Sequence, residues 1–526
     1  MINRSLFPAP RAALRRWSWL AVAVPLLSAC GSSATTKPGA SGTSTSFKTT
    51  FSAQAHTDID ILFMIDNSSE MTTMQQKLLA QLPTFMQTLQ ALPLGLPSVQ
   101  IAVVSSDMGA PSDQGPQGIG CSNSGDNGNF YSQAQPPCTM TTLDAGSFFV
   151  SDDSTGMTKN FSLVDPAGIS TVLQCLGALG STGCGFEHQL ASIDRALGAD
   201  GQGPAPSMNS GFIREGAYLG IIILTNEDDC SAPASGSPLP IYSLSGASGN
   251  DLETPDGPLA NYRCNGGPLG GHLCQDLSAA SASTAYAQPP LRPPADATGT
   301  AGAPELVLSN CESNDTASSG LTPVSHFVAD IKALKPDPEH QIFVSAIAGP
   351  ATPYVVRWAP GAGPSANELW PEIEHSCTSA NGDGSFADPG VRIGEFVHAF
   401  RNGVLTSICD NDYATAMTNI AQGVGALVDA KSPCITYKLP ANALGHPDCA
   451  VTSEAIKQGS IEIVALPDCL ENGNVPPCWT LAADATSCPD GGLALTVSPD
   501  PSSTAEPVAT SIECQICQPG STAPGC

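Results

Sequence analysis

Four short apolar runs mark the first 350 residues: ILFMI at 61–65, VQIAVV at 99–104, YLGIIIL at 218–224 and QIFVSAIA at 341–348. Each is strand-sized and continuously apolar, the pattern of strands buried on both faces of a parallel sheet. Between the runs the apolar period lengthens. Met71, Met74, Leu78, Leu82, Phe85, Met86 and Leu89 recur at steps of three and four, which predicts a helix with one apolar face. Pro83 within it is expected to kink or split that helix. FEHQLASIDRAL (186–197), HFVADIKAL (326–334), RIGEFVHAF (392–400) and YATAMTNIAQGVGALV (413–428) read as further helices. Strands alternating with helices predict an α/β domain over residues 57–430, built on a doubly wound, mostly parallel sheet.

Polar segments interrupt this plan. Inserts near 108–170 and 230–320 are rich in Gly, Ser, Pro and Asn and carry cysteines; loops this long are functional or disordered. After Cys434 the helical signal ends, and residues 431–526 read as a small β-rich, disulfide-stapled module. The 51 glycines and 46 prolines among 526 residues fit extensive loops. With 48 acidic and 20 basic residues the net charge is −28, which would repel a phosphate backbone and argues against nucleic-acid binding.

The amino terminus has the order of an export signal. Arg4, Arg11, Arg15 and Arg16 precede WLAVAVPLL, and LSAC follows at 27–30. That ending resembles a bacterial lipobox. The resemblance implies removal of residues 1–29, acylation of Cys30, and a lipid anchor as the sole membrane attachment. Gly31 rather than Asp after the cysteine points to the outer membrane, with the face left open. Residues 30–56, rich in Ser, Thr and Gly, read as a flexible tether. Apart from Cys30, ten cysteines lie between 121 and 409 and eight between 434 and 526. Both counts are even, so each region can pair internally in an oxidising compartment, with connectivity open. Cys514 and Cys517 form a C-x-x-C that reads as structural.

The candidate chemistry stands where the apolar runs end. In open parallel sheets ligands bind beyond the carboxyl ends of the strands. Asp66, Asn67, Ser68, Ser69 and Glu70 follow the first run, and Thr225, Asn226, Glu227, Asp228 and Asp229 follow the third. Such oxygen donors suit a hard cation, Mg²⁺, Ca²⁺ or Mn²⁺.

Asp66-x-Ser68-x-Glu70 after a buried strand resembles the D-x-S-x-S metal-ion-dependent adhesion site of von Willebrand factor type A domains. GSTGCGFEHQL (180–190) resembles that family's second loop, and AYLGIIILTNEDDCS (217–231) its later strand and third loop. The resemblance spans about residues 57–430. It implies a cation site made of Asp66, Ser68, Glu70 and Thr182, with Asn226 or Asp228 nearby, whose open position takes a carboxylate from a partner protein. Two positions depart from the family: Glu70 stands where a Ser belongs, and Asn226 where an Asp belongs. No H-E-x-x-H, G-x-S-x-G or Walker A pattern occurs, so an enzyme is not expected. The expected function is cation-dependent protein binding or adhesion at the cell envelope. The alternative is a metal-free scaffold lipoprotein that binds through its inserts or its carboxyl-terminal module.

Overall fold

The computed structural model describes residues 46–52, 58–92, 97–112, 117–132, 150–151, 166–214, 217–233, 240–243, 262–277, 285–292, 305–360, 369–428, 434–435, 437–442, 444–457, 460–483, 492–500, 506–517, 524 and 526. The signal segment at 1–29, Cys30 and the tether up to residue 45 lie outside the described residues.

Five parallel strands form the central sheet: β1 (Asp58–Ile65), β2 (Ser98–Ser105), β3 (Tyr218–Leu224), β4 (Ile342–Ala348) and β5 (Asn402–Ser407). Their order is β5-β4-β3-β1-β2, with Val150–Ser151 antiparallel beyond β2. Among the described residues, six helices of eight or more residues are associated with it: α1 (Thr72–Gln90), α2 (Pro166–Leu176), α3 (Gln189–Leu197), α4 (Val324–Ala333), α5 (Val391–His398) and α6 (Ala414–Val428). Alternate residues of each inner strand enter different cores. Ile59, Ile61, Phe63 and Ile65 pack with α1, α2 and α6, whereas Leu62 and Met64 pack with α3, α4 and α5. Burial on both faces explains why the runs are apolar without alternation. β5 has no such run because it is an edge strand, half-buried along its length.

Pro83 does not split α1, which runs unbroken around it. A proline has no N–H for the carbonyl four residues earlier. That carbonyl, on Leu79, instead accepts a hydrogen bond from Gln174 Nε2 of α2 at 2.9 Å.

The second insert holds more structure than its composition suggests. His272–Gln275 and Leu306–Ser313 join Tyr354–Pro360 and Leu369–Ile373 in a four-stranded sheet. Towards the carboxyl end, Cys449–Lys457, Ser460–Leu466 and Glu506–Gln515 form an antiparallel sheet. Its fourth strand is Ser46–Ser52, from the segment read as tether, which pairs with Glu506–Gln515 in the register Ser46 to Gln515. Ile435, Val451, Trp479, Leu495 and Ile512 fill a separate small core there.

Seven disulfides join described residues: Cys121–Cys184, Cys230–Cys264, Cys274–Cys311, Cys377–Cys409, Cys449–Cys514, Cys469–Cys478 and Cys517–Cys526. All seven stay within the two cysteine-rich regions. The C-x-x-C cysteines belong to two different bridges, so they form no redox pair with each other. A chain so cross-linked belongs to an oxidising compartment, which means export. Among the described residues no helix is long and apolar enough to cross a membrane.

Candidate functional site

The register aligns the strand ends. Ile65 stands opposite both Ser105 and Leu224, so the next residues, Asp66, Ser106 and Thr225, meet at one level. Asp66 is fully buried. Its Oδ1 accepts from the Ser68 backbone N–H at 2.9 Å and from Ser106 Oγ at 3.0 Å. Its Oδ2 accepts from Thr225 Oγ1 at 2.9 Å. Burial pushes the Asp66 carboxyl up, and these hydrogen bonds oppose that in part.

Gln75 fastens the neighbouring loop. Its Nε2 donates to the Asp66 and Gly180 carbonyls, both at 2.8 Å, and its Oε1 accepts from Gly180 N–H at 3.1 Å. Gly183 N–H donates to the Asn67 carbonyl at 2.8 Å. A Cβ at Gly183 would come within 2.1 Å of Asn67 Oδ1, so any larger residue there would displace the buried Asn67 side chain. Gln75→Ala should remove the clamp, lower stability by about 1–3 kcal/mol, and raise amide exchange at Gly180 and Gly183. Hydrogen-exchange mass spectrometry of this loop would check it.

Two more acids complete the cluster. Glu187, two residues before α3, is 2% exposed. It shares a hydrogen bond with Glu227, which lies two residues beyond Thr225. Both carboxyls are held well above the usual range. For Glu187 burial is the main cause, followed by the charges of Glu227 and Asp66. For Glu227 it is burial, followed by Asp388, Asp66 and Glu70. Among the described residues no Arg or Lys pairs with Asp66 or Glu187. Several buried oxygens at these strand ends also have no hydrogen-bond partner: Ser68 Oγ, Asn67 Oδ1, Glu187 Oε1 and Asn226 Oδ1.

The expected ligands are thus only partly assembled. Asp66, Ser68 and Asn226 are buried together at the strand ends. Glu70 is exposed, hydrogen-bonded to Ser69 Oγ, and reaches the cluster through its charge on Glu227. Thr182 is exposed, its carbonyl lies beside Gly120, and the next residue, Gly183, donates to the Asn67 carbonyl. Thr225 supplies the hydroxyl that bonds Asp66.

Asp228 is the clearest correction. Its Oδ2 accepts from His272 Nε2 at 2.7 Å, Val391 N–H at 2.9 Å and Arg392 N–H at 2.8 Å, and its Oδ1 from Ile393 N–H at 3.0 Å. Burial pushes this carboxyl up, but His272 and the backbone donors outweigh it and hold it low. It caps α5, and its oxygens are taken. Asp229 beside it accepts from Leu190 N–H at 3.0 Å at the start of α3 and pairs with the fully buried Arg392 at 2.9 Å. Of three consecutive acids, one faces the cluster and two fix helices.

Sequence reasoning missed Glu187, Gln75 and Ser106. Gln75 had a readable signal: it lies four residues after Met71, in phase with the apolar face of α1. Glu187 had none, because an acid before a helix is ordinary. A separate group, His446, Asp468 and Glu471, brings ligand-type atoms within 4.8 Å of one another, and Asn442 Nδ2 donates to Glu471 Oε1 at 2.7 Å.

No family model and no curated relative matches this sequence. Among solved structures, the pilus adhesin RrgA of Streptococcus pneumoniae overlaps with a TM-score of 0.28 at 10% identity, over 90% of this chain and 58% of that one. The pilus adhesin SpaC of Lactobacillus rhamnosus GG gives 0.25 at 10% identity, over 89% and 46%. The human COPII-coat protein Sec24c gives 0.26 at 8% identity, over 90% and 42%. This chain therefore spans about half the length of these structures. Overlaps this slight leave function to be read from the chain's own residues.

Proposed function

We propose that this chain is a lipid-anchored envelope protein whose type A-like domain holds a divalent cation at the strand ends and through it binds a carboxylate on a partner protein. The observation that carries this reading is a buried set of acids and unpartnered oxygens. Three other buried acids among the described residues have their complement. Asp60, at the opposite end of β1, pairs with Arg214 at 2.7 Å, Asp229 has Arg392, and Asp228 has His272 and three backbone donors. Asp66 and Glu187 have no such cation, and burying carboxylates without one is unfavourable. Ser68 Oγ, Glu187 Oε1 and Asn226 Oδ1 are hard donors of the kind Mg²⁺, Ca²⁺ and Mn²⁺ take. An ion held there with an open position would bridge two acidic surfaces that otherwise repel.

Calorimetric titration of Mg²⁺, Ca²⁺ and Mn²⁺ into the soluble chain tests this. Saturable binding is expected for at least one ion, and loss of it in both Asp66→Ala and Glu187→Gln. Absence of saturable binding for all three would retire the cation reading. A metal-free scaffold would then lead. The Glu187–Glu227 hydrogen bond favours that second reading, since a shared proton also relieves the pair. Under it, gain of binding in a Glu70→Ser, Asn226→Asp double variant would mark the natural site as one that has lost its ion.

A further inference from the structure

A cavity of about 740 Å³ is walled by α3 and the residue before it, His188, by the start of α4, and by Met108, Asn123, Ala232 and Tyr242. That is the size of a small-molecule site. Phe327, Leu321 and Pro233 give it an apolar side. The disulfides Cys121–Cys184 and Cys230–Cys264 cross-link the loops that frame it.

Two side chains lining this cavity are almost fully buried and incompletely paired. Asp194 is 2% exposed and His188 is 3% exposed, and Asp194 Oδ1 and His188 Nδ1 have no hydrogen-bond partner. The tautomer of His188 follows from its neighbours. Tyr242 OH donates to the Cys230 carbonyl at 3.2 Å, so the phenol oxygen accepts from His188 Nε2–H. That leaves Nδ1 as a bare acceptor.

Charge around Asp194 is one-sided. Burial, and then the charges of Asp330 and Asp200, push its carboxyl up to about 8, and Asp330 hydrogen-bonds it. The nearby Arg195 is already engaged with Asp200 at 3.3 Å, and the exposed His326 lies 3.2 Å from Asp330. The cavity therefore offers two acceptors and a group of crowded carboxyls, which a cation would relieve, beside an apolar wall. A ligand that complements it carries several N–H donors, a positive charge and a hydrocarbon stem.

We infer that this cavity is a binding site for a small organic cation, a primary alkylammonium whose head sits against Asp194 and whose stem packs against Phe327 and Leu321. The ammonium head is placed at Asp194, on α3, and its binding needs no metal. The test is calorimetric titration of the full soluble chain, in EDTA, with n-pentylammonium chloride, 1-pentanol and sodium pentanoate. Pentylammonium should saturate, and the alcohol and the carboxylate should bind at least tenfold more weakly. Asp194→Asn, which keeps shape and removes the carboxyl that ionises against the ammonium, should weaken the amine at least tenfold while leaving the near-ultraviolet circular dichroism unchanged. Ala191→Leu, which narrows the cavity without touching a carboxylate, should weaken the amine as well; it serves if Asp194→Asn fails to fold. No saturation by pentylammonium overturns the proposal. So does equal binding of amine and alcohol, or unchanged amine binding in the folded variants.

Discussion

Arg392→Ala should lower the stability of the protein by about 3–5 kcal/mol, the usual penalty for removing one partner of a buried ion pair. Both side chains of the Arg392–Asp229 pair are 0% exposed. The guanidinium also donates to the Thr322 carbonyl at 2.7 Å and to Ser313 Oγ at 3.3 Å. It thus joins α5, the end of the second insert and the loop after β3. Alanine would leave the Asp229 carboxylate buried without its cation and the Thr322 carbonyl without its donor. Urea denaturation would show the loss as a lower midpoint with an unchanged slope. An Arg392→Met, Asp229→Asn double variant should recover most of it, because the larger part of the loss is the stranded charge. A single variant within about 1 kcal/mol of the parent would contradict the assignment of this pair as the tie between insert and sheet.

Raising the pH from about 5 to about 8 should destabilise the cation-free protein and tighten its hold on a divalent ion. Burial favours the neutral forms of Asp66, Glu187 and Glu227, and their folded pKa values lie above those of the unfolded chain. Their contribution is complete below the unfolded carboxyl range and is lost as the pH rises through the folded values. Asp228 and Asp315 are shifted the opposite way, so their contribution is lost only as the pH falls, below this window. A cation must displace any proton the cluster holds. Its affinity should therefore rise about tenfold per pH unit for each proton released. Denaturation midpoints at both pH values, with and without Ca²⁺, would check both effects. Glu187→Gln should flatten the pH response of the cation-free protein. A response identical to the parent's would remove this cluster as its source.

Much of the sheet was legible because β1 to β4 are buried on both faces and must be apolar throughout. β5 was not, since NGVLTS at an edge needs only half its surface covered. The strand Ser46–Ser52 was hidden by a composition that also suits a tether; its partner lies more than 450 positions away in the register Ser46 to Gln515. Within the site, Asp66, Ser68 and Asn226 could be placed because they directly follow buried strands. The roles of Glu227, Asp228 and Asp229 could not be separated in the sequence, where three adjacent acids look alike. What distinguishes Asp228 is a helix start 163 residues further on. Thr182 was placed by analogy of loops; its loop is bonded to Asn67 through Gly183 N–H and cross-linked through Cys184.

The pairing of Ser46–Ser52 with Glu506–Gln515 has a mechanical meaning. Tension entering from the amino-terminal side, as a lipid at Cys30 would deliver it, passes along this strand before it reaches β1. The strand is then pulled along its own axis while its ladder of hydrogen bonds runs across that axis. Its seven paired residues would have to slip together rather than peel one at a time. A short edge strand can thus serve as a shear-loaded clasp, holding against traction until the whole register gives way.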